Sequence, residues 1–135
     1  MGIADKLPRS ISLTVTEGCN LACSYCYEHS KTPRMMDIKT ARAIIDRELA
    51  NTEPDREIEF DFFGGEPFLA FALIKEIAEY ICDNAGDRPY VLFASTNGTL
   101  IHGEIQDWLR EHPCFYCGLS LDGTREAHNL NRCNS

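Results

Sequence analysis

The stretch that sets the fold class lies in the middle of the chain and reads Ile58-Glu59-Phe60-Asp61-Phe62-Phe63-Gly64-Gly65-Glu66-Pro67. Apolar and acidic side chains alternate up to Phe62, which predicts a β-strand with one buried face. Gly64-Gly65-Glu66-Pro67 then interrupts the strand with a loop. The apolar residues after this loop recur at helical spacing, and they are Leu73, Ile74, Ile77 and Ile81. Because Gly86 is a typical helix terminus, the stretch predicts a strand, a loop and a helix in succession.

A strand, a loop and a helix are also predicted before this stretch. Ile11 to Val15 alternates between apolar and polar residues, which predicts a first strand that runs into a loop. Asp37 is a favourable N-cap for the helix that follows. The apolar positions of that helix are Ile38, Ala41, Ile45 and Leu49. Pro54 stops the helix, because proline cannot continue it.

Two more strands are predicted downstream. Tyr90 to Ser95 forms the third strand and is followed by the turn Thr96-Asn97-Gly98. A third helix carries its apolar residues between Ile101 and Leu109 and ends at Pro113. Phe115 to Leu121 forms the fourth strand and leads into Asp122-Gly123. The predicted order is therefore β-α-β-α-β-α-β.

Alternation of this kind implies a parallel sheet with crossover helices. The fold class is α/β, and the architecture is either an open doubly wound sheet or part of a (β/α) barrel. In both architectures the chemistry collects at the carboxyl ends of the strands. Each notable cluster of residues follows a strand, and the clusters are the cysteine loop, Gly-Gly-Glu-Pro, Ser-Thr-Asn-Gly and Asp-Gly. We expect these clusters to share one ligand-binding edge.

Composition limits the classes of function. The chain has 135 residues, 13 Lys+Arg and 21 Asp+Glu, and a formal net charge of −8. The acidic balance argues against nonspecific binding to nucleic acid or to an anionic membrane. No apolar run approaches the roughly 20 residues that a membrane-spanning helix needs. The amino-terminal residues contain no apolar signal region, so we expect a cytoplasmic protein.

Three of the seven cysteines lie within eight residues, and they are Cys19, Cys23 and Cys26. In a reducing compartment such a cluster indicates a metal or redox site rather than disulfides. Thiolates suit zinc or an iron–sulfur cluster. A closed structural zinc site needs a fourth ligand, such as His29 or a distant cysteine. An iron–sulfur cubane with three protein thiolates leaves one iron open.

Four motifs in order resemble those of the radical S-adenosylmethionine (SAM) enzymes. The cysteine loop has the CxxxCxxC spacing with Tyr25 before its last cysteine, and Gly64-Gly65-Glu66-Pro67 resembles the GGEP element of the family. Ser95-Thr96-Asn97-Gly98 and Ser120-Leu121-Asp122-Gly123, with His128 and Arg132 behind them, are similar to one branch. That branch contains anaerobic sulfatase-maturating enzymes and SPASM-type peptide maturases. The resemblance extends from about Ile11 to Arg132.

The resemblance implies a cofactor pair and its ligands. Cys19, Cys23 and Cys26 would hold three irons of a [4Fe–4S] cluster, and SAM would bind the fourth. Reductive cleavage of SAM would then give methionine and a 5′-deoxyadenosyl radical that abstracts a hydrogen atom from the substrate.

The resemblance also implies the residues that bind SAM. Tyr25 would lie beside the adenine, and Ser120 would bond to the ribose or the carboxylate. Gly64 and Gly65 would let the backbone approach SAM closely. Glu66 would lie near the methionine amino group. No catalytic side chain is assigned.

The partners implied by the branch are a peptide or protein substrate and a reductant such as a flavodoxin or ferredoxin. The implied fold is the amino-terminal, four-strand portion of a partial (β/α)6 barrel. Eight β/α units take about 250 residues, so 135 residues correspond to about four units. We therefore interpret residues 1–135 as the first part of a radical SAM core domain, with a carboxyl-terminal portion missing. The fourth strand would then be an open edge, and Phe60, Phe62 and Phe93 are expected inside the barrel without facing partners.

Less specific interpretations of the same residues remain open. Gly64-Gly65-Glu66-Pro67 is also compatible with a plain turn in which Pro67 begins a helix. Cys114 and Cys117 form a second CxxC, which indicates either a metal or redox pair or ordinary packing in the fourth strand. Cys82 is expected in the core beside Ile81.

Two further alternatives concern the acidic strand and the whole chain. Glu57, Glu59 and Asp61 form a polar strand face, although Asp61 is close enough to the strand end to point into the site. The alternative function for the whole chain is a noncatalytic module that holds zinc or an iron–sulfur cluster for structure or electron transfer.

Overall fold

A computed structural model describes residues 7–18, 21–23, 34–119 and 132–134. The strands of its main sheet are β1 (Arg9–Thr16), β3 (Ile58–Gly64), β4 (Tyr90–Thr96) and β5 (Phe115–Leu119). All four are parallel, and their spatial order is β1-β3-β4-β5. A second, two-stranded antiparallel sheet consists of β2 (Leu21–Cys23) and β6 (Arg132–Asn134). The predicted parallel α/β architecture is confirmed.

Helices connect successive strands of the main sheet, and they are α1 (Ile38–Asn51), a short 3-10 helix (Pro67–Ala70), α2 (Phe71–Ala85) and α3 (Gly103–Glu111). The predicted capping residues are confirmed at two ends. The Asp37 carboxylate accepts a hydrogen bond from the backbone N–H of Lys39 at 3.0 Å. Gly86 ends α2 with a φ of 61°, a conformation that glycine adopts without steric cost.

The hydrophobic core lies between the sheet and the helices. Phe60 and Phe62 in β3 are both fully buried and belong to the same cluster as Ile45 of α1 and Ile77 of α2. The prediction that these two phenylalanines line a barrel interior without partners was therefore wrong. Alternation shows that a strand has two faces, but it does not show which face the helices cover. Here they cover the apolar one, as the burial of apolar area requires.

The other face of the sheet carries the alternate residues. Asp61 of β3 pairs in register with Ser12 of β1 and Phe93 of β4, and Phe93 pairs with Tyr116 of β5. Phe93 lies on this face and is half-buried, and its position inside a barrel stays a prediction. We call this surface, formed by Ser10, Ser12, Glu59, Asp61, Phe93 and Tyr116, the open face of the sheet.

Two sequence predictions need correction or qualification outside the core. Cys82 is exposed rather than buried, because Ile81 and Ala85 occupy the buried side of α2 and the next position along a helix turns about 100° away. The fourth strand ends at Leu119, and the predicted extension to Leu121 lies outside the described residues. Among the helices that the structure describes, none combines the length and the apolar character needed to cross a membrane.

Candidate functional site

Three loops converge at the carboxyl edge of the parallel sheet. β1, β3 and β4 end at Thr16, Gly64 and Thr96, and all three strands run in the same direction. The backbone N–H of Glu66 donates a hydrogen bond to the carbonyl oxygen of Gly18 at 2.8 Å. Gly18 directly precedes Cys19, so the cysteine segment begins against the Gly-Gly-Glu-Pro loop. The shared edge predicted from the sequence is therefore present for these loops.

Glu66 is the centre of the hydrogen bonding at this edge. Its side chain is fully buried, and its carboxylate accepts hydrogen bonds from three groups. The Thr96 hydroxyl lies 2.8 Å from Oε1 and 2.9 Å from Oε2. The backbone N–H of Asn97 donates to Oε1 at 2.8 Å, and that of Phe68 donates to Oε2 at 3.0 Å. Both oxygens are satisfied by donors of the protein itself, as a buried carboxylate requires.

This bonding gives Glu66 two structural roles that the sequence did not separate. Its side chain accepts a hydrogen bond from the Phe68 N–H and so caps the short helix, in which Pro67 lies in the first turn. The interpretation of the motif as a turn that leads into a helix is therefore correct, but it covers only this one role. Through Thr96 and Asn97 it also fastens the loop after β3 to the loop after β4, across 30 positions of sequence. The sequence did not indicate Thr96 as a partner of Glu66, because no local pattern around Thr96 shows that its hydroxyl meets a buried carboxylate.

Gly64 allows β1 and β3 to meet closely at the same edge. Its φ is 153°, and Thr16 is its register partner beyond an irregularity in β1. A Cβ at this position would lie 2.1 Å from the carbonyl oxygen of Thr16. The backbone of Thr16 therefore excludes a side chain at Gly64.

We expect Gly64→Ala to lower the free energy of unfolding by at least about 3 kcal/mol, because backbone must move to admit the methyl group. Gly86→Ala is the matched control, since Gly86 also has a positive φ but has nothing within 4 Å of an added Cβ. The control carries backbone strain without the clash and should cost less, about 1–3 kcal/mol. Chemical denaturation of both variants measures the difference, and equal losses would contradict the steric explanation.

The loop after β4 completes the edge. Gly98 N–H donates to the Thr96 hydroxyl oxygen at 3.1 Å, and Thr99 N–H donates to the Asn97 side-chain oxygen at 3.0 Å. These bonds make the expected turn. A cavity of about 460 Å³ lies beside it, lined by Asn97, Gly98, Thr99, Ile101 and Leu119. The cavity falls in the size range of small-molecule pockets and adjoins the ends of β4 and β5.

The three clustered cysteines can be placed only in part. Cys19, Tyr25, Cys26 and Ser120 lie outside the described residues, whereas the backbone of Cys23 belongs to β2 and pairs with Arg132 of β6. The donor set itself fits an iron–sulfur cluster, because three thiolates in one loop are soft ligands that leave one coordination site open. The anchoring of Gly18 to Glu66 brings the start of this loop to the edge where the strands end.

The second CxxC does not show the properties of a metal site. Burial and the nearby negative charge of Glu66 raise the pKa of the Cys117 thiol to about 11, which keeps the thiol protonated at neutral pH. Cys114 and Cys117 both pack against the core. Within the ranges that the structure describes, no group of three or more His, Cys, Asp or Glu could hold a metal ion. The packing interpretation fits these observations.

Asp61 stands out on the open face. Its Oδ1 is buried and has no hydrogen-bond partner among the described residues. Desolvation, and then the charge of Glu59, raise the pKa of Asp61 from 3.8 to about 6. The alternating pattern placed Asp61 on a polar face, but only the structure shows that no residue within the described ranges donates to its Oδ1.

The raised pKa of Asp61 makes the free energy of unfolding depend on pH. Because its folded pKa of about 6 is above the ordinary 3.8, the folded protein keeps a proton that the unfolded chain has lost between these values. The free energy of unfolding therefore falls as pH rises through this window. We expect Asp61→Asn to be more stable than the parent by about 1–2 kcal/mol at pH 7.5, with solvent screening limiting the gain. Urea denaturation at pH 7.5 and pH 4 tests this, and an advantage that persists at pH 4 would contradict it.

Comparison with known proteins agrees with this geometry. Residues 13–134 match the model of the Radical SAM superfamily. An uncharacterised protein of Methanocaldococcus jannaschii is 40% identical over 115 residues, covering 85% of this chain and 39% of that protein. The cysteine-type anaerobic sulfatase-maturating enzyme of Clostridium perfringens strain 13 is 36% identical over 128 residues, covering 87% of this chain and 33% of that enzyme.

A solved structure is also similar. The chain superposes on native anSMEcpe with bound AdoMet and Kp18Cys peptide with a TM-score of 0.83 and 32% identity, covering 95% of this chain and 36% of that one. The cofactors expected from the sequence, a [4Fe–4S] cluster and SAM, are those of the matched family. This chain spans between about a third and two fifths of the length of these relatives. On motif order, fold and family match together, the chain belongs to the radical SAM superfamily.

Proposed function

We propose that this protein is a radical SAM enzyme, or the cluster-bearing part of one, that acts on a peptide or protein side chain. The observation that carries the proposal is the joining of the cysteine loop and the Gly-Gly-Glu-Pro loop at one sheet edge, through the 2.8 Å hydrogen bond from Glu66 to Gly18. A cofactor that bridges these two loops needs such a common edge. Membership of the superfamily supports the same chemistry.

In this proposal Cys19, Cys23 and Cys26 would hold a [4Fe–4S] cluster through three of its irons, and SAM would bind beside it. When both are bound, the cofactors would supply one-electron chemistry that cleaves SAM and abstracts a hydrogen atom from the substrate. The protein holds the reacting atoms in position and excludes water.

The loop after β3 is proposed to hold SAM. Gly64 and Gly65 present backbone to it, and Tyr25 and Ser120 are proposed contacts at the adenine and at the ribose or carboxylate. Glu66 acts in two ways. Its carboxylate accepts hydrogen bonds from three donors of the protein, and these bonds hold the loop in position. Its negative charge is also proposed to attract the ammonium group in the methionine part of SAM.

The substrate and partners are proposed from the relatives. Several relatives are named sulfatase-maturating enzymes, and one similar structure contains a bound peptide, which supports a peptide or protein substrate here. A flavodoxin or ferredoxin is the proposed electron donor. We also propose that residues 1–135 form the first part of the core domain, that a carboxyl-terminal portion completes the barrel, and that the protein works in the cytoplasm.

The test is SAM cleavage by the anaerobically reconstituted protein with dithionite as reductant. We expect chromatography to show 5′-deoxyadenosine and methionine in equal amounts. The Cys117→Ala variant is the control and should behave like the parent, because Cys117 is proposed to pack and not to ligate. Zinc in place of iron and sulfide, with no SAM cleavage, would contradict the proposal and favour a structural metal module.

A further inference from the structure

Thr96 supplies a donor to Glu66 that depends on the kind of side chain at its position. Of the three donors that the structure describes at the Glu66 carboxylate, two are backbone N–H groups, which almost any residue would provide. The third is the hydroxyl of Thr96, a buried residue at the carboxyl end of β4. A single substitution can therefore remove this bond and leave the backbone donors in place.

The surroundings of the Thr96 hydroxyl direct its proton to the carboxylate. Its oxygen accepts a hydrogen bond from the Gly98 N–H at 3.1 Å, and it lies 2.8 and 2.9 Å from the two carboxylate oxygens of Glu66. A hydroxyl group has one proton to donate, and a carboxylate only accepts, so the proton must point toward Glu66. The nearly equal distances place the proton between the two oxygens, which fixes the carboxylate against the turn after β4. Hydrogen bonds to a charged acceptor are the stronger kind.

The loop that carries Glu66 is attached to the protein at three points. At its start, Gly64 lies against the backbone of Thr16, the last residue of β1. In its middle, the Glu66 N–H donates to the carbonyl oxygen of Gly18, where the cysteine segment begins. The Glu66 side chain makes the third attachment, to the turn after β4, and Thr96 provides the side-chain half of it. This bond therefore helps to set where the loop stands relative to β4.

Thr16 shows that closing such a turn does not require the bond to a carboxylate. Its hydroxyl accepts from the Gly18 N–H at 3.0 Å, two residues further on, as the Thr96 hydroxyl accepts from Gly98. Both threonines are buried, and each ends a strand of the main sheet. Among the described residues, however, no carboxylate accepts a hydrogen bond from Thr16. The donation from Thr96 to Glu66 is thus an addition to the turn rather than a part of it.

We propose that Thr96 is a positioning residue for SAM, because its hydroxyl holds Glu66 and thereby keeps the Gly-Gly-Glu-Pro loop in the arrangement to which SAM binds. The inference rests on the proposed function, which places SAM at this loop. Without the hydroxyl, the N–H groups of Phe68 and Asn97 still anchor the carboxylate, so the fold persists while the loop gains freedom. SAM must then order the loop as it binds, and that cost lowers its affinity.

The test is Thr96→Val, which keeps the shape of the side chain and removes the hydroxyl. Equilibrium dialysis of the anaerobically reconstituted, unreduced protein measures the Kd of SAM without cleavage. We expect the Kd to rise about tenfold, together with the KM for SAM in the 5′-deoxyadenosine assay. The kcat at saturating SAM should stay within about twofold of the parent, because the lost interaction serves binding. Thr96→Ser restores the hydroxyl and should restore the parent Kd.

Thr52→Val is the matched control, because it makes the same change at another buried threonine, which follows α1 and precedes β3. It should leave the Kd of SAM unchanged, whatever it does to stability. Thr96→Ala replaces the valine variant if that protein does not fold, and the same weakening is expected. An unchanged Kd in the Thr96 variant would overturn the inference. So would an equal weakening in Thr52→Val, or a serine variant that binds SAM as weakly as the valine variant.

Failure of this inference is distinguishable from failure of the proposed function. A parent protein that neither binds nor cleaves SAM overturns the proposed function, and the role of Thr96 falls with it. A parent that cleaves SAM, beside a Thr96→Val variant that binds SAM equally well, overturns the positioning role alone.

Discussion

Glu66→Ala is expected to lower the free energy of unfolding by about 3–5 kcal/mol, a large share of the stability of a domain this size. The substitution removes one buried carboxylate and leaves its three donors without an acceptor: the Thr96 hydroxyl and the backbone N–H groups of Phe68 and Asn97. Each orphaned donor carries a desolvation cost. The loss also separates the loop after β3 from the loop after β4, so the cofactor edge loses its order.

The measurement is chemical denaturation with Glu104→Ala as the matched control. Glu104 is an exposed glutamate with an ion pair to Lys75 at 2.8 Å, and surface pairs of this kind contribute no more than about 1 kcal/mol. Glu66→Gln serves where the alanine variant does not fold, and it should fall between the two because its amide group faces at least one donor. A loss for Glu66→Ala no larger than for Glu104→Ala would show that the carboxylate does not hold the edge together.

The second large effect is expected at the cysteine loop. Cys23→Ala should lose most of its iron and inorganic sulfide and cleave SAM at least about a hundredfold more slowly, because the cluster would lose one of its three thiolate ligands. The same result is expected for Cys19→Ala and Cys26→Ala. Iron and sulfide analysis, together with the 5′-deoxyadenosine assay, measures the effect.

Cys82→Ala is the control for the cysteine substitutions. Cys82 is exposed on α2 and has no proposed part in the cluster, so its variant should keep iron, sulfide and SAM cleavage. A Cys23→Ala protein that retained its cluster would contradict the proposed ligand set. A variant that lost zinc and folding stability together would instead identify a structural metal site.

Local sequence patterns predicted the four strands of the main sheet and the three helices that follow its first three strands, because those signals are local. They did not predict the short antiparallel pair of β2 and β6, whose strands lie far apart in sequence. β3 forms where apolar and acidic residues alternate from Ile58 to Phe62. As expected, the Asp37 carboxylate caps the start of α1, and Gly86, with its positive φ, ends α2. The parallel order then followed from the repeated strand–helix unit.

The alternating pattern did not predict which face of the sheet the helices cover. Phe60 and Phe62 were expected inside a barrel, but they pack against the helices. The acidic residues that alternate with them, Glu59 and Asp61, occupy the open face. A period of two specifies the two faces and gives no information about which one the helices cover. The position of Cys82 failed for a similar reason, because one step along a helix changes the direction of the side chain by about 100°.

The sequence predicted which motifs belong to the candidate site, but it did not predict the hydrogen bonds that join them. The sequence identified Glu66 as a carboxylate of the cofactor loop, but its partner Thr96 lies 30 residues away and belongs to a turn motif of its own. Likewise the sequence placed Asp61 on a polar strand face, and only the structure shows that none of the described residues donates a hydrogen bond to its Oδ1. Long-range hydrogen bonds depend on strand order and register, which no local pattern contains.

The central claim is that the cysteine loop and the Gly-Gly-Glu-Pro loop together present a cluster with one iron open to SAM. Electron paramagnetic resonance of the anaerobically reconstituted and reduced protein, with and without SAM, tests it most directly. We expect a [4Fe–4S]⁺ signal whose shape changes when SAM is added. A cluster signal that is indifferent to SAM, or zinc bound with no cluster signal, would contradict it.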